Sequence, residues 1–378
     1  MDGQANGGFL RFFNDLPDPR AVNAVHRLSD ILLIAIFAVL CGAEGWTDVE
    51  LFGKAKLSFL RTFMDLERGI PSHDTFGRVF AALDPDAFEA CFERWMLHLR
   101  SGGQKLLAVD GKSLRRSFDH AWDASGMVHL VSAFAVENKL VLGQVASEGK
   151  GQELAAMKKL LGLLALDETT VVSIDAAGCQ KELAQQIVAR DADYVLAVKE
   201  NQPTLHRRVK SLLDEAALEN FSGLRHGFFE SVDGDHGRIE KRRVWVSDEL
   251  SYLGELAYAW PGLGSIVMVE SEREVIGKGS SKDRRYFISS LEGTDAKRMA
   301  QLIRGHWSVE NSLHWQLDVS FGEDLRRIRK DYGAENFSRL CRIAVNLLKQ
   351  ETSTKAGVKG KKLKAGWDEA YLLRLLTG

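Results

Sequence analysis

The sequence predicts an α/β protein, in which a mixed sheet is interrupted by a β-rich insertion and flanked by a helical N-terminal domain and a helical C-terminal region. Three observations predict this class. Helical periodicity dominates residues 10–100, and short apolar strands then alternate with helical segments up to residue 203. Strand patterns next fill much of residues 204–290, before helical periodicity returns. We therefore expect one core built from segments that are distant in the sequence.

The composition excludes several classes of protein. The chain has 378 residues, 45% of them hydrophobic and 27% charged, which is typical of a folded protein rather than a disordered one. Its net charge of −2 excludes a uniformly basic nucleic-acid coat, so any DNA site must be a local concentration of basic side chains. Four widely spaced cysteines argue against a disulfide framework or a zinc site and favour a reducing cytosol.

The sequence shows neither a membrane-spanning segment nor a secretory signal. The longest apolar run, Ile31 to Cys41, is too short to cross a bilayer, which needs about 20 residues. The first residues carry no basic stretch followed by an apolar segment, so no secretory signal is expected. We expect a cytoplasmic protein with no membrane partner.

The helical N-terminal domain is placed at residues 8–100. The stretch Leu28 to Leu40 is apolar almost throughout, which is typical of a buried helix. Ser72 precedes another helical pattern in the position of an N-cap, and residues 84–100 form an amphipathic pattern. This domain has more acidic than basic residues, so we expect it to serve packing or assembly rather than to be the main DNA-binding face.

Residues 104–203 are predicted to form the first part of the core. A buried strand leads into Asp110, a second leads into Asp175, and a hairpin and two helices are interleaved with them. The predicted order is strand, hairpin, helix, strand, helix, strand, which is that of a ribonuclease H-type sheet with acids at strand ends. The predicted segments are 106–109, 127–136 with 139–146, 153–164, 171–174, 181–190 and 194–198.

The rest of the chain is divided into three parts. Residues 204–290 are predicted as the β-rich insertion, with strands at 229–232, 238–246, 265–272 and 285–290. Residues 291–350 are predicted as helices that complete the core. Residues 351–378 read as a basic, flexible tail.

Two aspartates carry the clearest chemical signal. Asp110 and Asp175 each follow an apolar strand directly, and neighbouring strand ends would place their carboxylates side by side. Adjacent carboxylates repel each other, so they favour a divalent cation between them, and oxygen ligands suit Mg²⁺ or Mn²⁺. Two such ions can activate a nucleophile and stabilise the leaving oxygen in phosphoryl transfer. The alternative is that each aspartate only caps a turn or a helix.

A third acid would complete such a site. Glu310 shares a helical face with Trp307, His314 and Leu317, and a carboxylate on a largely apolar face needs a partner or a metal. The rival third acids are Asp318, Glu323 and Asp324.

Seven ordered motifs make the chain resemble the bacterial insertion-sequence DDE transposases, specifically the H-repeat-associated transposases of Rhs elements. The motifs are GIPSHDTFGRVF (69–80), AVDGKSLR (108–115), SIDAAGCQKELA (173–184), YVLAVKENQ (194–202), DHGRIEKRR (235–243), HWSVENSLHWQLDVSFGED (306–324) and WDEAYLLRLL (367–376). The resemblance implies a ribonuclease H-like core, a catalytic and metal-binding triad of Asp110, Asp175 and Glu310, and two Mg²⁺ ions.

The resemblance also implies a reaction and its partners. Members of this family cut double-stranded DNA at the ends of a mobile element and join the freed 3′-hydroxyl to target DNA, and a homodimer on DNA is expected. The chain departs from the wider cut-and-paste superfamily, which carries Tyr, Arg and Lys around its Glu. Ile303, His306 and Leu317 occupy those positions here. This departure puts the DNA-end handling credited to those residues in doubt.

Two other functions stay open. One is a ribonuclease H-like nuclease without strand transfer, and the other is a catalytically silent DNA-binding remnant of a transposase. The intact acids argue against the remnant, whereas the missing Tyr, Arg and Lys argue for it. The sequence contains no P-loop, so no nucleotide cofactor is expected.

Basic residues are concentrated late in the chain. Residues 325–364 contain 12 Lys and Arg and 3 acids, so their net charge is 12 − 3 = +9. Local patches of this kind neutralise phosphates. Other candidates flank the predicted acids or lie in the insertion. The predicted DNA-binding residues are Lys112, Arg115, Lys199, Arg238, Arg242, Arg243, Arg304, His306, Arg326, Arg327, Lys361 and Lys362.

Overall fold

A computed structural model of the chain describes residues 8–21, 24–99, 105–118, 126–149, 151–235, 238–275 and 279–377. The predicted boundary between the N-terminal domain and the core, at 100–104, lies outside these ranges, as do residues 236–237 of the motif at 235–243. The strands are β1 (Lys105–Ser113), β2 (His129–Ala135), β3 (Leu140–Ser147), β4 (Thr170–Ile174), β5 (Asp193–Val198), β6 (Gly227–Asp235), β7 (Arg238–Ser247), β8 (Ser265–Val275) and β9 (Gly279–Ser289).

Helices lie before, between and after these strands. The first five are α1 (Leu28–Leu40), α2 (Trp46–Ala55), α3 (Leu57–Leu60), α4 (His73–Ala82) and α5 (Pro85–His98). Between the strands lie α6 (Glu153–Leu163), α7 (Lys181–Val188), α8 (Pro203–Leu218) and α9 (Glu255–Ala259). After the last strand come α10 (Ala296–His306), a π-helical turn (Glu310–His314), α11 (Trp315–Phe321), α12 (Gly333–Gln350), α13 (Val358–Trp367) and α14 (Glu369–Thr377). No helix in the described ranges is both long and apolar enough to cross a membrane.

The nine described strands form one sheet in the order β3-β2-β1-β4-β5-β9-β8-β7-β6. The chain is therefore a mixed α/β protein, and the predicted succession of strand, hairpin, helix, strand, helix, strand is observed. β1 pairs in parallel with β4, and β4 with β5, while the other neighbours are antiparallel. Because β9 pairs with β5, the four strands of the insertion extend the sheet of the core.

Different helices cover the two faces of the sheet. On one face, apolar side chains of β4 and β5 pack with α6, α7 and α8, as shown by the cluster that joins Ile174 and Leu196 to Leu160, Leu183 and Val209. On the other face, alternate side chains of the same strands pack with α10. This alternation follows from the two-residue period of a strand buried on both sides.

The N-terminal and C-terminal helices form a single helical body. One apolar cluster joins α1, α4 and α5 to α11, α12, α13 and α14. Residues 333–348 of α12 are all buried, so this helix is the centre of the body. Asn346 of α12 also bonds both the N–H and the carbonyl of Val141 in β3, at 2.9 and 2.8 Å. The N-terminal helices are therefore packed onto the C-terminal ones.

Two expectations about the chain require correction. The segment after residue 203 begins with α8, because Leu205, Val209 and Leu213 recur at helical spacing and pack beneath the sheet, and the strands start only at Gly227. The expected flexible tail consists mostly of α13 and α14, whose Tyr371 and Leu372 are fully buried. The many basic residues of this segment suggested a solvated tail, although its apolar residues have a helical spacing and complete the helical body.

Candidate active site

Asp110 and Asp175 lie side by side on neighbouring strands. β1 and β4 run parallel, and Val109 is paired with Ile174, so the residue after each is an aspartate at the same level of the sheet. Their adjacency was predicted, although β1 continues through Asp110 to Ser113 instead of ending there. By strand alternation both side chains point to the face covered by α10, because Val109 and Ile174 pack on the opposite face.

Hydrogen bonds orient the two carboxylates. Asp110 Oδ1 accepts from the N–H of Gly111 at 2.8 Å. Asp175 caps the short 3₁₀ turn that follows β4, and its Oδ1 accepts from the N–H of Ala177 at 3.0 Å. The structure thus shows the capping role that was the alternative interpretation of Asp175, but capping uses only one of its two oxygens.

The pKa of the Asp110 carboxyl reflects its burial first and its acidic neighbours second. It is raised to about 7, mainly by burial and further by the charges of Asp175 and Glu310, against the lowering effect of the Gly111 N–H. The side chain of Asp110 is 18% exposed, so little water screens these charges. The charges of Asp175 and Glu310 therefore act on the Asp110 carboxyl.

Glu310 comes from the helical side of the site. It begins the π-helical turn Glu310–His314, in which Leu313 is fully buried in the helical body. Val309 and Leu317 are also fully buried and fix the turn on either side, whereas Glu310 itself is exposed at the cleft. Trp307, which the sequence placed on the same helical face as Glu310, is 41% exposed. π-helical turns are uncommon and are frequent at functional sites.

His314, at the other end of the π turn, also reaches Asp110. Its Nδ1 lies 3.6 Å from Asp110 Oδ2, and burial lowers the pKa of its imidazole to about 3. The sequence suggested only that His314 could support Glu310. Its spacing of four residues from Glu310 was the signal that could have placed it at the site, because residues four apart share a helical face.

His306 closes the site from α10. Its Nδ1 lies 3.0 Å from Ser173 Oγ on β4, and burial lowers its pKa against the opposing effect of Asp175. The close approach of α10 to the sheet depends on Gly305, where a Cβ would lie 2.3 Å from a methyl carbon of Leu106. His306, predicted as a DNA-binding residue, thus lines the cleft beside Asp175.

The three acids that were alternatives to Glu310 all form ion pairs with basic side chains. Lys112 Nζ lies 2.6 Å from Asp318 and 3.3 Å from Asp324, and Arg115 Nε lies 3.1 Å from Asp324. Glu323 is fully buried against Arg342 at 3.0 Å. Arg342 Nε in turn lies 3.3 Å from Ser132 Oγ, and Ser132 is the residue paired with Asp110 in the sheet. These acids therefore lie outside the cleft and form ion pairs with basic residues of β1, of the segment after it and of α12.

These ion pairs also change the expected roles of two basic residues. Lys112, predicted to contact DNA, has a side chain only 9% exposed and lies between two acids. Arg115 is 76% exposed and keeps most of its surface available despite its contact with Asp324.

The acids open into a cleft of about 480 Å³. Its apolar floor contains Val195, Phe287 and Ile303, and Lys199 is exposed at its wall, directly after β5. The cleft is therefore a concave site lined by four acids, Asp110, Asp175, Asp283 and Glu310, and by the basic side chains of Lys199, Arg284 and Arg285.

Carboxylates of this kind fit a hard divalent cation. Asp110 and Asp175 offer oxygens from adjacent strands, which is the donor chemistry of Mg²⁺ and Mn²⁺ sites. Within the described ranges, no group of three or more His, Cys, Asp or Glu side chains is spaced to hold a metal ion. The donor set nevertheless fits the cation in its chemistry.

The basic residues of the insertion are largely engaged with acids. Arg242 lies 3.2 Å from Asp233 and 2.6 Å from Glu240, and Arg243 lies 2.9 Å from Glu230 and 2.8 Å from Glu270. Arg304 of α10 also pairs with Asp233. Arg238 is exposed in a trough between the insertion and α10. The β-rich insertion therefore presents less positive charge at its surface than its sequence suggested.

The four predicted DNA-binding residues in the C-terminal region fall into two groups, one buried and one at the surface. Lys361 and Lys362 are 7% and 6% exposed, and their ammonium groups donate to the carbonyls of Leu348 and Ser320. The structure contradicts their predicted contact with DNA, because they fix α13 inside the helical body. Arg326 and Arg327 instead line a groove on the surface.

Comparison with known proteins agrees with this geometry. Residues 101–347 match the family described as "Transposase DDE domain", and residues 10–96 match the family described as "DDE_Tnp_1-associated". The "H repeat-associated putative transposase YhhI" of Escherichia coli strain K12 is 39% identical over 368 residues, covering 96% of each chain. A protein encoded in the dhlA 3′ region of Xanthobacter autotrophicus is 47% identical over 283 residues, covering 74% of this chain and 93% of the other.

Among solved structures, a piggyBac transposase synaptic complex with hairpin DNA aligns with a TM-score of 0.45 and 11% identity, covering 99% of this chain and 76% of the other. The family matches and the full-length relatives suffice: the chain belongs to the DDE transposase family, among its H repeat-associated members.

Proposed function

We propose that this chain is an active DDE transposase, which cleaves DNA at the ends of an insertion sequence and transfers the freed strand to target DNA. The observation that carries the proposal is the pair Asp110 and Asp175 on adjacent parallel strands, with Glu310 in the same cleft. The strand order β3-β2-β1-β4-β5 supports a ribonuclease H-type core. The family's name for the segment 101–347 supports the reaction.

Asp110 and Asp175 would hold two Mg²⁺ or Mn²⁺ ions from the sheet, and Glu310 would complete the ligands from the π turn. Rotation of the exposed Glu310 side chain would bring its carboxylate to the aspartates. When bound, such ions neutralise charge on the scissile phosphate and activate the attacking oxygen. The charges of Asp175 and Glu310 add to burial in raising the pKa of Asp110, and a cation that offsets these charges would be favoured here.

The chain's own residues would position the DNA. Lys199 at the cleft wall would contact a phosphate next to the one that reacts, and the apolar floor at Val195 and Phe287 would limit water around it. His306, held by Ser173, would keep the wall of the cleft in place beside Asp175. We propose double-stranded DNA as the partner and a homodimer as the assembly on DNA.

A cleavage and joining assay tests the proposal. The purified chain is incubated with a duplex spanning the junction between the element and its flanking DNA, with Mg²⁺ or with EDTA, plus a target plasmid. We expect Mg²⁺-dependent cleavage at the junction and covalent joining of the end to the plasmid. Cleavage without joining would instead indicate a nuclease, and binding without cleavage would indicate a silent remnant.

A further inference from the structure

A second concave surface lies between the N-terminal helices and the segment 326–330, and it shares no lining residue with the catalytic cleft. It encloses about 910 Å³, and we refer to it as the basic groove. Its basic side chains are Arg78, Arg326, Arg327, Arg329 and Lys330, against two acids, Glu44 and Asp74, so its net charge is 5 − 2 = +3. A concentration of positive charge in a groove attracts polyanions.

Arg326 builds one wall of the basic groove. Its guanidinium lies 4.2 Å from the centre of the Phe337 ring, and it donates to the carbonyls of Phe321 at 2.7 Å and Glu44 at 3.0 Å. These contacts hold the extended segment against the N-terminal helices. Arg327 and Lys330, on the same segment, are exposed and line the groove.

The opposite wall comes from the start of α2 and from α4 with its N-cap residue, Ser72. Arg78 is exposed on α4, and the hydroxyls of Ser72 and Thr47 also lie on the groove. Trp46 stacks on Phe80 with ring centres 4.7 Å apart and closes the floor beneath Gly77, where a Cβ would lie 3.3 Å from its ring. The walls of the groove thus offer guanidinium and hydroxyl donors of the kind that phosphate oxygens accept from.

The position of the groove favours duplex DNA over an acidic protein segment. Arg329 Nε lies 3.3 Å from the carbonyl oxygen of Arg116, which follows exposed Arg115 shortly after β1. Basic side chains therefore continue from the groove to the strand that carries Asp110. A long, uniformly charged backbone that enters the cleft can follow such a path.

We propose that the basic groove binds the sugar–phosphate backbone of duplex DNA outside the catalytic cleft. This inference rests on the proposed function for the identity of the polyanion. It joins the predicted DNA-binding residues Arg326 and Arg327 to Arg78 of the N-terminal domain, which was not expected to be the main DNA-binding face. The groove holds the duplex through Arg78, Arg327 and Lys330, while the acids act on the segment that reaches the cleft.

Fluorescence anisotropy with a labelled duplex tests the groove in EDTA, so that cleavage plays no part. The double variant Arg327→Ser with Lys330→Ser should lower the log–log salt slope of binding by roughly 1.8, since each phosphate contact contributes about 0.9. The matched control removes Lys158 and Lys159, two exposed lysines of α6 on the other face of the sheet, and should leave the slope unchanged.

An unchanged slope in the double variant, or an equal fall in the control, would overturn the assignment. Should the double variant unfold, Arg78→Ser on the opposite wall serves instead, with an expected fall of roughly 0.9. An unchanged slope in that variant would also overturn it. Because no metal is present, failure of the groove is distinguishable from failure of the cleavage reaction.

Discussion

The guanidinium Nε of Arg339 lies 2.6 Å from Glu89 Oε2, and the two side chains are only 1% and 3% exposed. This ion pair joins α12 to α5 inside the helical body. Glu89 Oε1 also accepts from the N–H of Gln144 in β3 at 2.6 Å. One buried carboxylate thus connects the N-terminal helices, the central C-terminal helix and the sheet.

We predict that Arg339→Met lowers the free energy of unfolding by about 3–5 kcal/mol, because it leaves Glu89 buried without its cation. Urea denaturation measures this change. The matched control is Lys159→Met, which breaks an exposed pair with Asp86 and should cost less than about 1 kcal/mol. Equal effects in the two variants would show that the Arg339 pair does not join the two ends of the chain.

A second prediction concerns the C-terminal lysines. Lys362→Ser should lower the thermal midpoint, because its ammonium donates to the Ser320 carbonyl and lies 3.9 Å from the centre of the Phe321 ring. Lys359→Ser, at an exposed position of the same helix, should leave the midpoint unchanged. If instead Lys362→Ser weakened DNA binding in a fully stable protein, the original expectation of a DNA-contacting tail would be restored.

The sequence predicted the strands that carry the acids because their apolar runs lead directly into aspartate, and this pattern is local. The burial of Lys361 and Lys362 could not be read locally. In the sequence alone, two adjacent lysines are typical of an exposed surface. Their ammonium groups are buried because they donate to the carbonyls of Leu348 and Ser320, which belong to other helices. The pairing of Lys112 with Asp318 likewise depends on elements 206 residues apart.

A third prediction follows from the raised pKa of Asp110. The folded chain keeps this carboxyl protonated up to about pH 7, whereas the unfolded chain releases the proton near pH 4. In EDTA, stability should therefore fall as the pH rises from about 4 to 7, by on the order of 3 kcal/mol from this group. Asp110→Asn should remove that part of the fall.

The comparison is made by urea denaturation of the wild type and of Asp110→Asn in EDTA at a series of pH values. Asp283→Asn, at a 61% exposed aspartate of the same cleft, should keep the wild-type dependence. Parallel curves for wild type and Asp110→Asn would mean that neither burial nor the neighbouring acids raise the pKa of Asp110 in the folded chain.

The central claim is that Glu310, rather than one of the nearby acids, completes the catalytic triad with Asp110 and Asp175. Glu310→Gln keeps the size of the side chain and removes its charge. It should abolish Mg²⁺-dependent cleavage, leave DNA binding in EDTA intact, and leave the metal-free thermal midpoint equal or higher, because repulsion among the carboxylates is relieved. Asp283→Asn removes a charge from the same cleft and should still cleave.

The most direct measurement is therefore the rate of Mg²⁺-dependent cleavage of the junction duplex by Glu310→Gln, beside Asp324→Asn. Our account predicts no cleavage by Glu310→Gln and retained cleavage by Asp324→Asn, whose carboxylate is held by Lys112 and Arg115 outside the cleft. Wild-type cleavage by Glu310→Gln together with its loss in Asp324→Asn would contradict the account and move the third ligand to the turn at Gly322–Asp324.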